Sequence, residues 1–169
     1  VSVVFSIPPA AGLPVDDLAT FGATYKCAVV ELLMRVHAHP NMDLSSRFLI
    51  LDRADNGSAY VQCAFDDHDR SMLCEAASGF FAVPGEAPVF TPEQKQALAK
   101  LGFAMNEPRA NFRQFLRFGH EPDYDAVADL LLTTLYEAYG ARRDTVIEVT
   151  APFAMPHGLL AKDRCSLVS

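Results

Sequence analysis

The sequence predicts an α+β fold, an antiparallel β-sheet with helices packed on one face, in the order α-β-β-β-α-β-α-β. Three observations predict it. An amphipathic stretch runs from Asp16 to His39, three strand-like runs separated by turn residues follow directly, and two further helix-then-strand pairs complete the chain.

In the first stretch Leu18, Phe21, Tyr25, Val29, Leu32, Leu33 and Val36 recur three or four apart, the spacing of one buried helical face. Asp16 or Asp17 is placed to cap its first turn, and Pro40 to end it. The three runs are Arg47 to Arg53, Ser58 to Phe65 and Arg70 to Ser78, rich in β-branched, aromatic and aliphatic residues. Asp55-Asn56-Gly57 separates the first two, Asn-Gly favouring the positive φ angles of a tight hairpin, and Asp66 to Asp69 separates the next two. A three-stranded meander follows. In its middle strand Tyr60, Gln62 and Ala64 face one way, and Val61, Cys63 and Phe65 the other.

Beyond a Pro/Gly-containing loop, Thr91-Pro92-Glu93-Gln94 supplies an N-cap, a proline at the first helical position and a capping-box glutamine. Gly102 is the natural stop for that helix. Asn111 to Phe118 reads as a strand with Arg113, Phe115 and Arg117 opposite Phe112, Gln114, Leu116 and Phe118. Asp123 opens a third helix with the face Val127, Leu130, Leu131, Thr134, Leu135 and Ala138, closing at Gly140, and Thr145 to Thr150 is a last strand. The expected organisation is an extended segment over 1–15, a single domain over 16–150 and a tail over 151–169.

Composition narrows function. A chain of 169 residues with half of them hydrophobic has enough apolar surface for a core. A net charge of −7 argues against a phosphate-tracking surface and hence against nucleic acid. No run approaches the roughly 18 apolar residues of a membrane span. The amino end, VSVVFSIPPAAGLPV, lacks the basic leader and cleavage site of a secretory signal, and a start at Val points to a trimmed chain. Cys27, Cys63, Cys74 and Cys165 form no C-x-x-C pair, which leads us to expect buried thiols in a reducing cytoplasm.

Candidate chemistry is sparse. His37 and His39 are two apart and point to different sides of a helix, so helix-end capping outweighs metal binding. The cluster Asp66, Asp67, His68, Asp69 lacks the ligand spacing of a Ca²⁺ loop and reads as a solvated turn. Gln62 and Glu75 fall near each other in an ordinary hairpin register, where cross-strand hydrogen bonding outweighs a general-base role. Ser71 and Ser78 sit in no nucleophile elbow, and no phosphate-binding glycine loop occurs. Arg113 and Arg117 share a strand face, exposed to solvent or set to receive acidic groups of a partner. No catalytic residue, cofactor or metal site is expected.

Tyr60-Val61-Gln62, Glu75-Ala76-Ala77-Ser78, Leu98 to Phe103, Asn111-Phe112 and the helix from Asp125 to Tyr139 together resemble the type III secretion chaperone and YbjN-like superfamily, particularly its actinobacterial branch. The resemblance spans Asp16 to Thr150. It implies a small, often dimeric α+β module that binds extended protein segments without catalysis, with Gln62, Glu75, Gly102 and Asn111 as signature positions. The expected function is therefore a non-enzymatic polypeptide-binding chaperone or adaptor with a protein or peptide client. Phe112, Phe115, Phe118, Arg113, Arg117, Gln62 and Glu75 are its candidate partner-binding residues, and Phe48 and Phe65 further apolar candidates. Two alternatives stand beside it: a small-molecule-binding or hydrolytic enzyme pairing Glu75 with His68 or His120, and a structural homodimer joined through the sheet or the first helix, the latter expected by analogy.

Overall fold

The computed structural model describes residues 3–7, 16–38, 47–66, 70–105 and 109–151. Strand β1 (Val3–Ile7) precedes helix α1 (Leu18–His37), followed by β2 (Phe48–Arg53), β3 (Asn56–Asp66), β4 (Ser71–Ala76), α2 (Pro92–Lys100), β5 (Phe112–Arg117), α3 (Tyr124–Glu137) and β6 (Ile147–Ala151). The predicted α-β-β-β-α-β-α-β order holds from α1 onward, and β1 adds a sixth strand from the segment read only as extended. The strands form one antiparallel sheet in the order β1-β6-β2-β3-β4-β5.

Each helix starts as its sequence dictates. Asp17 accepts the N–H of Thr20 at 2.7 Å, and Thr91 and Gln94 complete a capping box. Asp123 accepts the N–H of Ala126 at 2.9 Å. Gly102 takes a φ of 92°, a left-handed conformation that favours glycine, and the Gln114 side-chain amide lies close against it.

Helices α1 and α3 bury Phe21, Tyr25, Leu33, Leu131 and Leu135 against one face of the sheet. That face presents Leu49, Leu51, Val61, Phe65, Met72, Ile147 and Val149, all buried, and in β3 this is the alternation predicted. Removing this much apolar surface from water is the main favourable term of folding. Tyr25 donates its buried hydroxyl to the carbonyl of Thr145 at 2.6 Å, joining α1 to the approach of β6, and burial pushes its phenol up to about 12. The opposite face carries no described helix.

Two expectations are corrected here. The first hairpin does not turn at Asn56-Gly57: Arg53 pairs with Asn56, so Ala54-Asp55 is the turn and the register shifts between Asp52 and Arg53. The Arg53 guanidinium forks the Asp55 carboxylate at 2.9 and 2.6 Å and donates to the carbonyl of Tyr139, which places the reversal two residues earlier. The cysteines are not free thiols: Cys63 and Cys74 form a disulfide, and Cys27 is disulfide-bonded too. Their register explains the first pair. Arg113 exchanges both main-chain bonds with Ala104, so Gln114 turns its own toward Cys74, and Cys63 and Cys74 become a non-hydrogen-bonded pair with Cα atoms 4.1 Å apart. His39, Asp67, His68, Asp69 and the expected tail beyond Ala151 lie outside the described residues.

Candidate functional site

The face that carries no described helix is organised in rows that cross the strands. One row is polar: Gln62, Glu75 and Arg113 stand in register on β3, β4 and β5. Gln62 donates to one carboxylate oxygen of Glu75 at 2.6 Å, and Arg113 donates to the other at 2.7 Å. Both oxygens are thereby engaged, which leaves Glu75 unsuited to act as a general base. His120 is exposed beyond the end of β5 and makes no bond to it. The Glu/His enzyme reading loses its base, and no described group of three His, Cys, Asp or Glu residues suits a metal ion.

One step toward the β2 amino end lies an apolar row. Phe48 opposes Ala64, Ala64 opposes Leu73, and Leu73 opposes Phe115, which ends the row 63 % exposed. A single exposed apolar side chain is ordinary on a protein surface, so what singles Phe115 out is its place at the end of an apolar row. Next to it Arg117 is exposed and makes no ion pair among the described residues. The main-chain N–H and C=O of Phe115 and Arg117 face away from β4, as those of Arg113 do, and Ala104 satisfies only Arg113.

On the other side of the polar row, Tyr60, Asp52 and Glu148 share a row across β3, β2 and β6. Asp52 and Glu148 are directly opposed like charges. Burial first, and the Glu148 charge second, push the Asp52 carboxyl up to about 6. One Asp52 oxygen is shut off from solvent with no hydrogen-bond partner among the described residues. Beside Tyr60 a cavity of about 240 Å³ is lined by Ala77, Phe81, Val83 and Asn111. Asn111, itself buried, donates to the Tyr60 hydroxyl at 2.8 Å and accepts the N–H of Ser78 at 3.2 Å, tying the end of β4 to β3. Around the cavity Phe80, Phe81, Val83 and Val89 are largely exposed.

The candidate partner residues therefore divide. Phe112 is 8 % exposed, packs edge-on against Phe90, and leaves the partner-facing set; Phe65 also belongs to the core, and Phe118 is partly buried against it. Arg113, Phe115 and Arg117 share the open face with Gln62 and Glu75. His37 ends α1 stacked on Phe65 at 5.0 Å and hydrogen-bonded to the Tyr124 hydroxyl, a packing role. Sequence reasoning missed Leu73, Ala64, the Asp52–Glu148 opposition and the exposed apolar loop at 80–89. The only local signal for the last was its run of unpatterned Phe and Val residues.

No helix among the described residues is long and apolar enough to cross a membrane. Neither a curated protein nor a solved structure matches the chain. A family model does: that of T3SS (YopN, CesT) and YbjN peptide-binding chaperone 3, over residues 31–153, which holds all five strands from β2 to β6. The chain belongs to this family of peptide-binding chaperones, which is a family of binders and not of enzymes.

Proposed function

We propose that the chain holds an extended polypeptide across the open face at its β5 side, with Phe115 as the apolar anchor and Arg117 and Arg113 meeting acidic groups of the client. The observation that carries this reading is the exposure of Phe115 at the end of the Phe48–Ala64–Leu73 row, beside main-chain groups that no described residue pairs. Main-chain pairing supplies affinity that is indifferent to sequence, and the apolar row and the arginines supply selectivity. Gln62 and Glu75 act by holding Arg113 in place.

The test is Phe115→Glu in a client pull-down with thermal melting alongside. The expected outcome is loss of the client with the melting temperature unchanged within about two degrees, since the residue is exposed. Equal loss of fold and binding would reassign Phe115 to the core.

A homodimer is a second reading, through the outer side of α1, where Met34 is half exposed. Sedimentation at micromolar concentration tests it, a monomer ending the idea. A cytoplasmic location requires Cys63 and Cys74 to be reduced there, because disulfides persist in oxidising compartments. Thiol labelling of acid-quenched cells distinguishes the two states.

A further inference from the structure

Strand β1 stands apart from its five companions. It lies outside the span matched by the family model, and within the sheet it borders β6 alone. The pairing is antiparallel, from Val3 opposite Ala151 to Ile7 opposite Ile147. The N–H of Ala54 reaches the carbonyl of Val146, so the even-numbered residues of β6 spend their main-chain groups on β2. Ile147, Val149 and Ala151 therefore turn theirs outward, and β1 is what covers them. All three are fully buried apolar residues, so an uncovered edge here would be both sticky and unpaired.

The segment that covers it has the chemistry of an added strand. Val3-Val4-Phe5-Ser6-Ile7 is uncharged and consists largely of β-branched and aromatic residues, and in sequence Pro8, Pro9, Gly12 and Pro14 separate it from α1. We propose that the β6 edge is a strand-accepting site which the chain's own Val3–Ile7 occupies in cis, and that an uncharged or basic extended segment of another polypeptide replaces it in trans. The charge preference comes from the register: Ser6 opposes Glu148, which already opposes Asp52. An acidic residue at the Ser6 position would add a third like charge to that row, and a basic one would relieve it. The β5 side, with its arginines, has the reverse preference. A tethered strand competes at a high effective concentration, so the site is masked until the tether is outcompeted. This second seat rests on the peptide-binding reading only for the nature of the competitor.

The experiment titrates a fluorescently labelled peptide of residues 1–9, VSVVFSIPP, into the full chain and into its Phe5→Pro variant. Proline at that position removes a donor aimed at Val149. The expected result is binding about tenfold tighter to Phe5→Pro than to the unaltered chain, because the internal competitor is weakened. A peptide carrying Ser6→Lys should bind tighter than one carrying Ser6→Glu. Amide exchange at Ile147, Val149 and Ala151 should quicken in the variant while Leu49 and Val61 keep their protection. Equal affinity for both chains, a preference for the Ser6→Glu peptide, or binding that disappears with Phe115→Glu would each overturn the proposal, the last two assigning the peptide to the β5 side. Loss of protection across the whole sheet would overturn it as well, by making β1 part of the core. If Phe5→Pro fails to fold, the unaltered chain decides: excess peptide slows exchange at Val149 if β1 opens locally, and exchange there only by global unfolding sinks the idea.

Discussion

The two ends of the open face handle charge in opposite ways. Toward β5, Glu75 sits between Gln62 and Arg113 with both oxygens bonded, and Ala104 seals part of the edge. Toward β6, Asp52 faces Glu148 with one oxygen unpartnered, and the edge is covered by a strand that borders nothing else in the sheet. A satisfied polar row makes the β5 end a fixed platform. An unsatisfied one leaves the β6 end electrostatically strained, the end expected to yield first when a competing strand arrives.

The largest effect should come from attacking the platform from below. Phe112→Ala removes a ring packed against Phe90 beneath the Arg113 row and should cost about 3 kcal/mol or more, read by denaturant unfolding. Phe115→Ala, one strand position from Arg117 on the open side, should cost little, and a similar loss from both would erase the distinction between the faces of β5. Glu75→Ala comes next. It leaves Arg113 and Gln62 without their acceptor, and a loss of about 1–3 kcal/mol is expected, together with weaker binding of an acidic client because Arg113 is no longer held.

At the other end the sign reverses. The Asp52 carboxyl titrates near 6 when folded, above its ordinary value of 3.8, so the folded state holds a proton that the unfolded state releases. Stability from this group is present below about pH 4 and is lost as pH rises through about 6. Asp52→Asn should therefore stabilise the chain at pH 7.5 by about 1–2 kcal/mol after allowance for solvent screening, with no gain at pH 4. Chemical denaturation at the two pH values checks it, and a gain of equal size at both would deny that the charge is the cause. Glu148→Gln should give a smaller gain at pH 7.5 than Asp52→Asn, because burial outranks the neighbouring charge among the causes of the shift. A larger one would reverse that order.

Periodicity carried the reading from sequence to elements because it is local. The three-to-four spacing in α1 and α3 and the alternation in β3 and β5 each follow from the geometry of one segment, so the face shared by Arg113, Phe115 and Arg117 was legible before any tertiary contact was known. The capping residues Asp17, Thr91 and Asp123 were legible for the same reason. The hairpin turn was not, because the Arg53 fork onto Asp55, anchored at Tyr139, outweighed the preference of Asn56-Gly57 for a tight turn.

By itself the sequence determined the helices, the strands from β2 onward, the inward and outward residues of β3 and β5 and the likeness to peptide-binding chaperones. Only the tertiary structure decided that Leu73 lies beside Phe115, that Cys63 meets Cys74, that Asp52 opposes Glu148 and that Val3–Ile7 closes the β6 edge. Each of these is a matter of register between strands, and register is set by turns, bulges and the packing of a whole face, none of which the local pattern of a single strand contains.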